Sequence, residues 1–356
     1  MTELSGRERI WRALHHLEAD RVGIMDAVWD STLQRWYGEG LCDGTPPSKV
    51  FGYDMAEIRP DLTLRCRPEL IEECPEYTIM RDSNGAVVKN WRHSTSTPGW
   101  LDHSIKTRQD WERLKWRLQW QRDRVDWGAT REVYAQARAQ GQFVFYSGAI
   151  CWDGAVKAVS AETLLLAMAD DPAWIRDMFT TYTDLYLAGA EELLGAGLEL
   201  DGAWVYDDMG YRNATFFSPR MYTELIYPHD RRVCSFFRSR KLPIILHSCG
   251  QVAGLIPNLI EAGYTCLQPL EVKAGMDLIA LKKQYADVLC FMGGIDVRAM
   301  AAQDPGIFEQ EIATKVPIAM AGGGYVYHSD HSVPDSVSLD RYRRVLELVR
   351  HYGCYH

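Results

Sequence analysis

Leu242-Pro-Ile-Ile-Leu-His247-Ser-Cys249-Gly250 is a short apolar run that breaks off in polar, turn-forming residues. A run of this length bounded by turn signals reads as a fully buried strand. The same form recurs on both sides of it. Upstream lie Phe143-Val-Phe-Tyr-Ser147 and Ala203-Trp-Val-Tyr206-Asp207-Asp208. Downstream lie Thr265-Cys-Leu-Gln-Pro-Leu-Glu271, Val288-Leu-Cys-Phe-Met-Gly-Gly294-Ile-Asp296 and Tyr325-Val-Tyr-His328-Ser-Asp-His331. The intervening residues 128–140, 161–194, 218–240, 252–261, 277–285, 306–320 and 339–351 read as helices. Strands that alternate with helices form a parallel sheet with crossover connections.

The N-terminal region adds to the series. Ser5 and Glu8 stand as an S-x-x-E capping box, and Ile10, Leu14 and Leu17 form one apolar stripe behind it. Residues 22–29 then read as a buried strand. This makes seven or eight strand–helix units with no visible boundary, so the expectation is an α/β chain forming one domain over 1–356, a closed (β/α)8 TIM barrel. An open dinucleotide-binding sheet is excluded, because no G-x-G-x-x-G follows a strand. Residues 40–125 break the rhythm. Hairpin strands around Ser83-Asn-Gly85 and a stretch rich in Trp, Lys, Arg and Asp at 100–120 read as an inserted segment, a cover or lid for one end of the barrel.

The 356-residue composition is that of a globular protein, 47% hydrophobic and 24% charged, which excludes disorder and low complexity. A net charge of −9 without a basic stripe argues against nucleic acid. No apolar run approaches the ~20 residues of a membrane span, and the start of the chain has no apolar signal core. A cytoplasmic protein is expected. Its nine scattered cysteines read as reduced thiols rather than a disulfide framework.

In a barrel of this kind the chemistry sits at the C-terminal ends of the strands, and here those ends carry polar and metal-capable groups. His247 and Cys249, two residues apart at a strand tip, can point the same way. An imidazole and a thiolate suit zinc, whose catalytic sites have three protein ligands and one open position. The third ligand is left between His331, at the tip of the last strand, Glu271, one strand after His247, and, as the weaker candidate, His328, which alternation could point with His331 or away from it. Asp207 and Asp208 are candidate catalytic residues, since adjacent carboxylates face opposite ways and one can address the pocket as a general acid. Asp26, Trp29, Tyr146, Tyr211 and Tyr325 are candidate substrate-binding residues for an aromatic ligand or flat cofactor. Cys266 and Cys290 lie mid-strand and read as core.

Over nearly its whole length the chain resembles the uroporphyrinogen decarboxylase-like superfamily. The resemblance is carried by Ser5-Gly-Arg-Glu-Arg-Ile-Trp-Arg-Ala-Leu14 with Glu18-Ala-Asp-Arg-Val22, and by His247-Ser-Cys-Gly-Gln-Val252 with 255–263. Leu267-Gln-Pro-Leu-Glu271, Phe291-Met-Gly-Gly-Ile-Asp296 and the stretch 322–334 complete it. It implies a (β/α)8 barrel. Members that decarboxylate porphyrinogens carry an arginine-bearing segment after the first strand. Here that place reads Met25-Asp-Ala-Val-Trp-Asp-Ser31, with no arginine. The branch with an H-x-C pair comprises corrinoid (cobalamin)-dependent methyltransferases that bind Zn2+ and work with a corrinoid protein. Where they carry a later cysteine, this chain offers His331. The resemblance therefore implies zinc-dependent methyl transfer between a small-molecule donor or acceptor and a corrinoid carried by a partner protein. O-demethylation of a methoxylated aromatic is the favoured form, and a cofactor-independent decarboxylase is the alternative. A homodimer would fit the family.

Overall fold

Eight strand–helix units do close into a barrel in the computed structural model, which describes residues 3–92 and 97–355. The strands, in chain order, are β1 (Gly23–Ile24), β2 (Met55–Ile58), β3 (Glu69–Glu73), β4 (Tyr77–Arg81), β5 (Val87–Trp91) and β6 (Gly99–Asp102). There follow β7 (Phe143–Ala149), β8 (Gly202–Tyr206), β9 (Ile244–His247), β10 (Cys266–Gln268), β11 (Cys290–Met292) and β12 (Tyr325–Tyr327). Eight of them form one parallel sheet in the order β1-β12-β11-β10-β9-β8-β7-β2. The seam between β1 and β2 is closed by Asp54. Its N–H donates to the Ile24 carbonyl (2.7 Å), and its carboxylate accepts the Ile24 N–H (2.7 Å).

The same carboxylate pairs with Arg9 (2.7 Å) and Arg21 (2.8 Å), and Arg9 and Asp54 are buried together. Removing one member of such a network would leave a buried charge unpaired, at a cost of about 3–5 kcal/mol. The barrel interior is filled by alternate residues of the strands, among them Phe145, Trp204, Ile245, Cys266, Cys290 and Val326. The helix Gly6–Leu14 packs Ile10, Ala13 and Leu14 against this same cluster and plugs the N-terminal end. Ser5 caps that helix by accepting the Glu8 N–H (3.2 Å), while the Glu8 carboxylate pairs with Arg12 (2.7 Å).

Several sequence expectations need correction. The strand expected over 22–29 is only Gly23–Ile24, with an isolated bridge from Val28 to Val333 beyond it. The stretch 161–194 is two helices, Ala161–Asp170 and Pro172–Gly195, because Pro172 cannot continue the first and Asp171 caps the second. The stretch 218–240 likewise divides into Pro219–Leu225 and Tyr227–Arg238, with Pro228 at the break. Residues 40–125 are not wholly an insertion, since β2 is a barrel strand inside them. Its four residues, of which Ala56 and Glu57 are only half-buried, are too few to show a pattern in the sequence. The remainder includes the antiparallel sheet β3-β4-β5-β6, with the expected hairpin pairing β4 to β5. Thr97, between β5 and β6, lines the cavity at the barrel mouth.

Candidate metal and substrate site

Two strand-tip loops meet backbone to backbone to build the site. Gly250 has φ +78°, and a Cβ there would lie 2.3 Å from the Gly210 carbonyl carbon. A Cβ on Gly210 would in turn lie 2.5 Å from the Cys249 carbonyl oxygen. Only glycine permits that approach. The Gln251 N–H then donates to the Tyr211 carbonyl (2.7 Å), and the Cys249 N–H to the Asp208 carboxylate (2.8 Å). The loop after β8 is thereby fastened to the loop after β9.

The result brings one oxygen of Asp208, one ring nitrogen of His247 and the sulfur of Cys249 within 4.8 Å of one another. Among the described residues this is the one group of three or more such side chains so placed. His247 Nε2 lies 3.3 Å from Asp208 Oδ1 and 3.5 Å from Cys249 Sγ. The other ring nitrogen, Nδ1, donates to Gln268 Oε1. Gln268 faces His247 directly in the β9–β10 ladder. Such an outer partner fixes the ring and directs Nε2 at the cluster. Desolvation pushes the Asp208 carboxyl upward, but His247, the Cys249 N–H and Lys157 outweigh it and bring it to about 2. The His247 imidazole is held well above its ordinary value, the pull of Cys249 and Asp208 overcoming desolvation. Burial, with Asp208 beside it, raises the Cys249 thiol.

The cluster forms one wall of a cavity of about 590 Å³ at the barrel mouth. Phe145, Trp204 and Tyr206 line it as a run of neighbouring rings, and Tyr206 lies 4.9 Å from the His247 ring. Trp29 and His331, 5.7 Å apart, line it as well. Arg59 lies over the Tyr206 ring at 4.6 Å and pairs with Glu57 (2.6 Å).

The sequence candidates divide sharply. Asp208, His247 and Cys249 come together. Asp207 faces the other way, fully buried, accepting the Asp153 N–H (2.7 Å), and burial beside Asp230 pushes its carboxyl well up. Glu271 stands outside the cluster and accepts the Gly250 N–H (2.7 Å), bracing the loop that carries Cys249. His331 is in the cavity but also outside the cluster. Asp26 borders the cavity, yet its carboxylate is taken up by Ser329, the Ala27 N–H (3.0 Å) and the Tyr327 (3.3 Å) and Tyr342 (3.0 Å) hydroxyls. Tyr146 and Tyr325 are core residues rather than cavity residues, their hydroxyls spent on the Tyr186 (2.7 Å) and Gly293 (3.0 Å) carbonyls. Tyr211 is 56% exposed and packs on Phe216 outside the cavity. Gln268 and Arg59 were not legible as site residues. A polar side chain ending the apolar run Thr265-Cys-Leu was a usable signal for the first. The second follows the unrecognised strand β2.

The family model of uroporphyrinogen decarboxylase matches residues 143–352, more than half of the chain. The chain belongs to the uroporphyrinogen decarboxylase family. This is a family of enzymes, and the barrel with its strand-tip site accords with it. Among solved structures the family member is similar to a methyltransferase from Methanosarcina mazei, at 14% identity and a TM-score of 0.69, with 98% of this chain and 99% of that one covered. A putative vitamin-B12 independent methionine synthase from Listeria monocytogenes is more distant, at 10% identity and a TM-score of 0.42, over 95% of this chain and 98% of that one. At 14% identity the likeness to the first is one of fold. No curated protein matches the sequence.

Proposed function

We propose that this member of the family is a zinc-dependent methyltransferase, moving a methyl group between a small aromatic methyl ether and a corrinoid carried by a partner protein. The observation that carries the reading is the convergence of Asp208, His247 and Cys249 on a cavity walled by aromatic rings. Carboxylate oxygen, imidazole nitrogen and thiolate sulfur are all zinc donors, and three of them leave the fourth position open to substrate. That assigns Asp208, expected from the sequence as an acid catalyst, the place of third ligand. Bound there, zinc supplies Lewis acidity at the substrate heteroatom, weakening its bond to the methyl carbon.

The chain's own residues do the rest. Phe145, Trp204, Tyr206 and Trp29 offer flat apolar surfaces that hold an aromatic ring and exclude water. Gln268 holds His247 in orientation. His331 lines the same cavity, and burial pushes its imidazole down. A neutral ring there can donate a hydrogen bond to the departing oxygen without giving up its proton.

The test is methyl transfer to reduced corrinoid across a panel of methoxylated aromatics, with and without a zinc chelator. Transfer that stops on chelation and returns with zinc supports the proposal. Turnover that is indifferent to chelation, or that releases carbon dioxide without corrinoid, overturns it in favour of a decarboxylase.

A further inference from the structure

The cavity that holds the cluster has a second polar end. Among the described residues that line it, Arg59 is the one arginine or lysine. Its guanidinium is held along one edge. Nε donates to Ser147 Oγ (3.1 Å) and Nη2 to Glu57 Oε1 (2.6 Å), while the group rests over the Tyr206 ring. Nη1 has no hydrogen-bond partner among the described residues, and the side chain is 51% exposed. A guanidinium is a rigid fork of five N–H donors, and the edge formed by Nη1 and Nη2 matches a carboxylate as well as the edge already used. Arg59 is thus fixed on one side and open on the other.

Glu57 acts as the anchor of this arrangement. The same Oε1 also accepts from the Ser147 hydroxyl (2.6 Å) and the Tyr206 hydroxyl (3.3 Å). A further donor lies on the cavity wall. Trp204 is 3% exposed, and its indole N–H has no acceptor among the described residues. Tyr206 stands between the two polar ends, 4.6 Å from the Arg59 guanidinium and 4.9 Å from the His247 ring. Guanidinium and imidazole are therefore no further apart than those two distances together, within reach of one benzene ring substituted at both ends.

We propose that Arg59 is a specificity-determining residue that binds a carboxylate of the substrate, so that the methyl ether taken by this site is an aromatic acid. The ether oxygen lies at the cluster and the carboxylate at Nη1 and Nη2 of Arg59. The inference rests on the methyl-ether reading above and adds the second polar group of the substrate.

The experiment is isothermal titration calorimetry on the full chain loaded with zinc, with meta-methoxybenzoate, para-methoxybenzoate and methoxybenzene as probes. In the wild type the better acid should bind at least about tenfold more tightly than methoxybenzene. Arg59→Met should weaken that acid about 10- to 100-fold and leave methoxybenzene within about threefold. Arg59→Lys, which keeps the charge and loses the fork, should fall between wild type and Arg59→Met. An unfolding midpoint lowered in both variants, with acid and neutral ether weakened alike, would make Arg59 structural and overturn the proposal. So would a wild type that binds neither acid, or that binds acid and methoxybenzene equally, a comparison that needs no variant. Acid binding that depends on Arg59, without methyl transfer to reduced corrinoid from either acid, would sink the proposed function and leave the carboxylate subsite standing. Methyl transfer from methoxybenzene in preference to both acids would overturn this inference alone.

Discussion

Two sectors of one barrel mouth carry nearly the same residue types and do opposite things. At the tips of β8 and β9 stand an aspartate, a histidine and a cysteine whose side chains are partly open and point at one another. At the tips of β1 and β12 stand Asp26, His328, Ser329 and Asp330, all nearly closed to solvent. Asp26 takes donors from four other residues, and Asp330 accepts the Val272 and Val297 N–H groups at 2.9 Å each. The second sector is saturated internally and holds strands together. The first has acceptor atoms facing a shared space. Residue type does not separate them; the fate of each hydrogen-bonding atom does.

The largest effect should come from breaking the open sector. Cys249→Ala should reduce bound zinc from about one equivalent to near none and methyl transfer by at least about 100-fold. Its unfolding free energy should stay within about 0.5 kcal/mol of wild type measured free of zinc. Retention of zinc by that variant would remove Cys249 from the ligand set.

Breaking the closed sector should do the reverse. Asp26→Ala leaves the Tyr327, Tyr342 and Ser329 donors buried without a partner. It should cost about 3 kcal/mol in urea unfolding while the folded fraction still binds zinc. Loss of zinc with intact stability would invert the assignment of the two sectors.

Acidity sharpens the contrast. His247 and Cys249 both hold protons more firmly than usual in the absence of a cation, and Asp208 holds none near neutrality. Zinc must displace those protons, so its affinity rises with pH, by about tenfold per pH unit for each proton released. Titration of zinc affinity between pH 6 and 8 checks the sign. A flat profile would mean that neither group is a ligand. The smallest effects are expected at the two candidates that stand outside the cluster. Glu271→Gln and His331→Ala should each leave zinc stoichiometry unchanged and affinity within about threefold, whatever they do to turnover.

Much of this was open to reading in the chain itself, and the reason is local. The strand runs from Phe143 onward are apolar and regularly spaced because the strands of a parallel barrel are covered on both faces. The pair His247 and Cys249 was legible because side chains two apart on an extended tip share a face. The strand β2 was not, being four residues long with a partly exposed centre. Gln268 was passed over because its role depends on its opposite number in the next strand, 21 residues away.

By itself the sequence determined the alternation that makes a barrel and the end of it that carries polar groups, since both follow from short-range periodicity. It left open which of Asp207 and Asp208 faces the cavity, and whether Glu271, His331 or another group completes the cluster. Tertiary structure decided these. Asp208 meets Cys249 across 41 residues, and Asp26 meets Ser329 across 303. Whether a polar atom is available for chemistry or consumed in holding the fold depends on partners that distant, which no local pattern encodes.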